Sequence, residues 1–398
     1  MVHFSEIIHN YLLKKLGILV LRSIFQKHLS GVYFHLIHIM VCCNETDDPA
    51  LQTKGKSKNQ RAPPVKKDQS VTITMADSND EEDKVKIGVI GPFLSGKSTL
   101  LRQAGILYGS RFFDEDRSAL KPCIRTLILR DMKTLIEEVE QSGKPIDPVL
   151  STSISLLKEI TPNEDELVSD VVSSIIDIWN DETVKSIYEE KKIKNYLEHS
   201  SYFFDRVEKI AEQDYVPTDE DMLMYPGSTH SNCRDHDFNF NTKLVQITEV
   251  QGNTSGRRMW DRVLRGANYI MFVVSLSDFD YHLFEDDTIE VSQLSMTLFS
   301  QICEADQYRD IPVFLVLNKS DLFEKKIKEK TDLFNNAYPG FEGDVNNVND
   351  AIEHVKQAYL SKVDARSNTG FVEAISVNSL NKESVANLMQ KIAQKVVA

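Results

Sequence analysis

Gly91-Pro92-Phe93-Leu94-Ser95-Gly96-Lys97-Ser98-Thr99 decides the reading of this chain. Its first eight residues fit the pattern GxxxxGK[ST], in which backbone N–H groups and one lysine cradle phosphates. The neighbouring sequence gives the pattern its physical meaning. Val85-Lys86-Ile87-Gly88-Val89-Ile90 predicts a buried strand before it, and Lys97 to Tyr108 predicts a helix after it. A loop between strand and helix aims N–H groups and the positive helix end at an anion. Gly91, Leu94, Ser95, Gly96, Lys97, Ser98 and Thr99 are therefore the candidate phosphate cradle. Lys97 is suited to the β- and γ-phosphates, and the Ser98 hydroxyl to Mg²⁺.

A second motif selects the base. Val313-Phe314-Leu315-Val316-Leu317 predicts another buried strand, running straight into Asn318-Lys319-Ser320-Asp321. A carboxylate at Asp321 can accept from the guanine N1–H and its exocyclic amine. Adenine cannot donate that pair, so the contact discriminates by leaving groups unpaired. The Lys319 stem can lie along the base. Open α/β sheets bind ligands at such strand ends.

Composition sets the outer bounds. The 398 residues allow two or three domains, and 41% apolar residues supply a core. A net charge of −14 argues against nucleic acid as a partner. Cys42, Cys43, Cys123, Cys233 and Cys303 form no metal or disulfide framework, which points to a reducing compartment. Strands and helices alternate over 85–110 and 226–398, as in a mostly parallel sheet. Between them, 111–225 is helical in pattern. Ile124, Leu127, Ile128, Met132, Leu135, Ile136 and Val139 recur at helical spacing, and similar faces follow near 149–160, 167–179 and 201–211. The expected fold class is α/β, a P-loop domain interrupted after its first helix by an inserted all-α domain.

On these motifs the chain resembles the alpha subunits of heterotrimeric G proteins, from about Lys84 onward. Ile210 to Thr218 is similar to the family's approach to its first switch. Ser275 to Tyr281, with Glu285-Asp286-Asp287, is similar to the strand end and helix beside its second switch. Ile375-Ser376-Val377-Asn378 stands in the place of the TCAT loop, whose backbone N–H meets the guanine oxygen, and this assigns Val377 to the base. The resemblance implies GDP or GTP with Mg²⁺ as ligands. It implies a receptor and a beta-gamma dimer as partners, with an effector met through the second switch and the following helix.

The departures fall on the catalytic parts. The family's phosphate loop reads GAGESGKST; here Phe93 replaces a glycine and Leu94 replaces the glutamate paired with the catalytic arginine. Asp221 to Thr229 aligns with DVLRTRVKT, so Thr229 keeps the Mg²⁺-binding hydroxyl, but the arginine falls at Pro226. That arginine is worth about 10³–10⁵ in rate. Arg234, eight residues on, is the alternative cation. Glu249 to Trp260 aligns with DVGGQRSERKKW. Gly252 is kept for the γ-phosphate. Glu249 replaces the aspartate that holds a Mg²⁺-bound water. Asn253 replaces the glutamine that positions the attacking water, one methylene short. The implied reading is a guanine nucleotide switch whose own GTP hydrolysis is slow. The alternatives are an ordinary alpha subunit with modestly lowered rates, and a scaffold that no longer cycles nucleotide.

The ends also depart. Residues 1–84 form an N-terminal extension whose 44–84 stretch, with Pro63-Pro64 and the acidic Asp77 to Asp83, reads as a linker. This puts beta-gamma binding in question. The helix expected from Lys382 to Val397 stops short of the family's receptor-contacting tail, which weakens expected receptor coupling. Lys14, Lys15 and Arg22 among apolar residues suit an interfacial membrane helix. Alternatively, a start at Met40 places Cys42 and Cys43 where some family members are palmitoylated, anchoring a peripheral protein at the cytoplasmic face of the plasma membrane.

Overall fold

The structure is a computed structural model and describes residues 71–75, 84–109, 112–162, 167–191, 197–227, 233–283, 288–363 and 372–398. Its strands are β1 (Ile73–Met75), β2 (Val85–Ile90), β3 (Cys233–Phe240), β4 (Lys243–Val250), β5 (Tyr269–Ser275), β6 (Val313–Asn318) and β7 (Val372–Ser376). They make one sheet in the order β1-β3-β4-β2-β5-β6-β7. Strands β4, β2, β5, β6 and β7 run parallel, with Val85 opposite Val245, Ile87 opposite Tyr269, Ile270 opposite Val313 and Val313 opposite Val372. Strand β3 is antiparallel to β4, and β1 to β3. The unbroken apolar runs of β5 and β6 follow from burial on both faces. Ile270, Phe272 and Val274 face one layer, and Met271 and Val273 the other. Strand β3, nearer the edge, alternates buried and partly exposed residues.

Helix α1 (Lys97–Tyr108) leaves the end of β2 and is followed by a run of helices. These are α2 (Phe112–Ser142), α3 (Ser151–Glu159), α4 (Ser169–Asn180), α5 (Glu182–Lys191), α6 (Ser200–Phe204), α7 (Val207–Ala211) and α8 (Asp219–Met224). The seven residues picked out at helical spacing along α2 are all buried, and they share a core with Ile175, Ile178, Phe203 and Phe204. Thr218 and Asp221 form a reciprocal capping box that starts α8. After β4 come α9 (Trp260–Leu264), α10 (Val291–Glu304), α11 (Ser320–Glu329), α12 (Thr331–Ala337), α13 (Val348–Leu360) and α14 (Lys382–Val397). Leu100 and Leu101 of α1, with Met389 and Ile392 of α14, pack on one sheet face. Phe299, Phe323, Phe334 and Tyr359 cover the other. No helix among the described residues is long and apolar enough to cross a membrane.

The linker expected over 44–84 does not hold for residues 71–75, which join the sheet through edge strand β1. Ile73, Thr74 and Met75 pair with Phe240, Asn239 and Phe238. Val71 and Ile73 are each 7% exposed and sit against the core that holds Phe238, Phe240 and Met389. Asn241, at the turn between β3 and β4 with φ of 56°, donates its N–H to Thr72 O at 2.7 Å. Its side-chain oxygen accepts the Thr72 N–H at 2.9 Å. Gln390 of α14 brackets Val71, accepting its N–H at 3.1 Å and donating to its carbonyl at 2.7 Å. Four consecutive β-branched residues, Val71-Thr72-Ile73-Thr74, alternately apolar and polar, carried this signal, hidden beside an acidic run. Ile73→Ala is expected to lower the unfolding free energy by about 2–4 kcal/mol. Urea denaturation measures it, and an unchanged midpoint would show that the edge strand does not dock.

Candidate nucleotide-binding site

The carboxyl ends of the parallel strands gather Gly91, Gly252, Leu276, Asn318 and Val377 at one rim of the sheet. Central β2 has β4 on one side and β5 on the other. Its end is thus the crevice where connections diverge, the position at which open sheets take ligands.

The phosphate loop is built around two glycines that admit no side chain. At Gly91, φ 147°, a Cβ would stand 2.1 Å from Val273 O, and at Gly96, φ 88°, 2.2 Å from Asn318 Nδ2. Leu94 takes the left-handed conformation, φ 59°, which is costly for a branched side chain and characteristic of functional loops. Phe93 turns its ring outward and is 41% exposed. Lys97 is buried, and its ammonium donates to Gly91 O at 3.0 Å, Pro92 O at 2.7 Å and Ser95 Oγ at 3.4 Å. Burial pushes its pKa down to about 8, opposed by the charge of Glu249. A phosphate needs the ammonium form, so binding above that pH must take up a proton. Nucleotide affinity is expected to be flat below pH 8 and to fall by up to about tenfold per pH unit above it. Fluorescence titration between pH 7 and 9.5 checks this, and a flat profile contradicts it.

Ser98 donates its hydroxyl to Glu249 Oε1 at 2.5 Å, joining the start of α1 to the end of β4. A half-buried hydroxyl beside a buried carboxylate makes an oxygen donor set that suits a hard divalent cation. The glycine cradle, the Lys97 ammonium and this pair thus fit a Mg²⁺-bound polyphosphate. Gly252 lies directly on the loop: a Cβ there would stand 2.2 Å from Gly91 O and 2.6 Å from Phe93 N. Only glycine allows this approach.

Asn253 points elsewhere. Its side-chain oxygen accepts the Gly256 N–H at 2.7 Å and the Ser255 hydroxyl at 3.2 Å. It therefore holds the first N–H of the 3-10 turn Gly256–Met259, while its amide nitrogen donates to Gln251 Oε1 at 3.3 Å, so both ends of the side chain are used within its own segment. Trp260 Nε1 donates to Gln251 O at 3.1 Å and ties the same turn down. Pro226 stands two residues after the end of α8 at Met224. Arg234 is the cross-strand partner of Glu249 in register, so the two side chains leave the same face of the sheet.

At the base end, Asn318 is a brace. Its amide donates to Ser95 O at 2.9 Å and its oxygen accepts from the Ser379 N–H at 3.2 Å and hydroxyl at 2.7 Å. One side chain thus ties the phosphate loop to the loop after β7. Lys319 is left-handed, φ 60°, and pairs with Asp278 at 3.5 Å. Burial works against its charge, but Asp278, Glu198 and Asp321 hold its pKa above the ordinary value. Asp321 stands in the first turn of α11. The expectation for Val377 needs correction. Its N–H donates to Leu317 O at 2.8 Å, because the β6–β7 ladder continues one residue further, so this amide does not face the base. The Asn378 N–H is held by Ser384 Oγ at 3.0 Å. Thr229, Cys42 and Cys43 lie outside the described residues.

Sequence reasoning missed two contributions from the helical run. Glu198 accepts a hydrogen bond from Tyr281 Oη, and desolvation of the half-buried His199 beside it lowers that imidazole's pKa. The ammonium of Lys326 lies 3.8 Å above the Tyr281 ring and pairs with Asp280 at 2.7 Å. No local pattern announces a contact between residues so far apart.

Fold and site together define a P-loop nucleotide-binding protein with helices inserted after its first helix. The sequence profile of the G-protein alpha subunit matches residues 64–396, and the chain belongs to this family. It is 27% identical over 321 residues to guanine nucleotide-binding protein subunit alpha-1 of Trichomonas vaginalis, spanning 80% of this chain and 79% of that one. It is 30% identical over 274 residues to guanine nucleotide-binding protein alpha-2 subunit of Dictyostelium discoideum, spanning 66% and 75%. The chain is thus a nucleotide-binding switch protein of signalling, from a family of GTPases.

Proposed function

We propose that the chain binds GDP and GTP with Mg²⁺ and hydrolyses GTP slowly, resting in the triphosphate state until a partner acts. The observation that carries this reading is the turn of Asn253 into its own 3-10 cap, with an uncharged Pro226 at the arginine position. When bound, the cation supplies charge neutralisation between the β- and γ-phosphates. Lys97 and the loop amides hold the phosphates. Ser98 and Glu249, with Thr229, offer the cation its oxygens. Asn318 braces the loops, Lys319 lies along the base, and Asp321 accepts from the guanine edge. Water positioning falls to Asn253, which must leave Gly256 to perform it. That exchange, and the missing guanidinium, account for slow chemistry while binding is kept.

The family supports a receptor, a beta-gamma dimer and an effector as partners, the effector meeting the turn at Asn253–Met259 and α9. Acylation of Cys42 and Cys43 places the protein at the cytoplasmic membrane face. Equilibrium binding of GDP, GTP and ATP, with and without Mg²⁺, tests the reading. It is supported by tight guanine nucleotide binding with ATP at least about 10³-fold weaker. Binding of none of the three would leave a non-cycling scaffold.

A further inference from the structure

Arg102 sits on α1 one helical turn after Ser98, and so on the same face of that helix. Its side chain is buried, with the residue 6% exposed. The guanidinium reaches the segment that leaves α8. Nη1 donates to Met222 O at 3.1 Å and to Tyr225 O at 2.8 Å, and Nη2 donates to Gly227 O at 2.5 Å. The Tyr225 ring lies 5.7 Å from the guanidinium carbon. The same ring folds over Gly227, where a Cβ would stand 2.7 Å from it. The backbone is thus wound around one cation, and Pro226 lies between two of the held carbonyls. Two guanidinium nitrogens share the three carbonyls, a fork that a single ammonium nitrogen does not reproduce.

The geometry points to Arg102 as the positioning residue of the first switch. One rigid helix carries Ser98 at its phosphate end and, a turn later, the group that fixes Tyr225, Pro226 and Gly227. Thr229 follows Gly227 by two residues in the sequence, so Arg102 holds the point from which the chain departs toward it. This rests on the guanine nucleotide reading above. A first-switch hydroxyl engages the cation when the γ-phosphate is present and lets go when it is absent. Arg102 therefore acts on the triphosphate state and leaves the diphosphate state, held by the phosphate loop and base motif, nearly untouched.

The test uses the full chain with R102M and R102K, loaded with fluorescent GDP or a fluorescent non-hydrolysable GTP analogue. Dissociation is followed over a range of Mg²⁺ concentrations. In R102M the analogue is expected to leave about ten- to a hundredfold faster, the size of a lost charged hydrogen-bond set. Half-maximal retention then needs more Mg²⁺, while GDP release stays within about twofold of wild type. R102K keeps the charge and packed stem and should fall between wild type and R102M. It decides the matter if R102M does not fold. Equal acceleration of both nucleotides would make Arg102 a merely structural anchor and overturn the inference. So would an R102K that matches wild type with both ligands. A wild-type chain that holds neither nucleotide removes the functional reading itself, and this inference with it.

Discussion

Pro226→Arg combined with Asn253→Gln is expected to raise single-turnover GTP hydrolysis by about 10³-fold or more. The two changes repair different parts. An arginine at 226 restores a guanidinium for the charge that develops on the transferring phosphoryl group. It starts from a defined base, because the carbonyls on both sides of it are held by Arg102. A glutamine at 253 adds the methylene that carries the amide toward the attacking water. It gives up the cap on Gly256, which costs about 1 kcal/mol locally. Pro226→Arg alone should supply most of the gain, since an arginine finger is worth about 10³–10⁵ in rate and a misplacement of a water-orienting amide by about 1 Å on the order of 10². Phosphate release from preloaded protein measures the effect. No gain would show that another cation already serves, and Arg234, opposite Glu249 across the β3–β4 ladder, is then the group to replace.

Asp321→Asn is expected to weaken GTP by about 10²–10⁴-fold, the loss of two charge-assisted hydrogen bonds. The asparagine amide also turns a donor toward the guanine amine, itself a donor. Xanthine carries a carbonyl at that position and can accept from it, so xanthosine triphosphate should gain on GTP in the mutant. The carboxylate's favourable place at the start of α11 accounts for about 0.3–1 kcal/mol of stability, so the fold persists. Competition between the two triphosphates measures the exchange. An unchanged preference for GTP would remove Asp321 from the base site.

The parts of the fold that were legible are those with a local period. Strand β2, helix α1, strand β6 and helix α14 fall where alternation, helical spacing and flanking turn residues put them. The buried stripe of α2 was equally plain, because a long helix repeats its apolar face many times over. Strand β1 was not, since three residues beside an acidic run are too short a pattern to separate from a linker. Within the site, glycines and charged residues declared the cradle through their spacing. The rest depends on contacts that no spacing records. Tyr281 and Glu198 are 83 residues apart, and Arg102 holds carbonyls 120 to 125 residues away. The sequence placed Asn253 opposite a catalytic glutamine. Only the backbone of 253–256 shows that the shorter side chain reaches its own Gly256 amide. Val377 failed as a base ligand for a similar reason, since the strand register uses its N–H before a ligand can.

We propose that Pro226 and Asn253 slow hydrolysis while nucleotide binding is kept. Single-turnover hydrolysis of γ-labelled GTP by the full chain, with bound nucleotide counted on the same sample, tests it most directly. Stoichiometric binding with label retained far longer than in an otherwise identical Pro226→Arg/Asn253→Gln chain is the predicted result. Stoichiometric binding with equally fast release in both chains would contradict it.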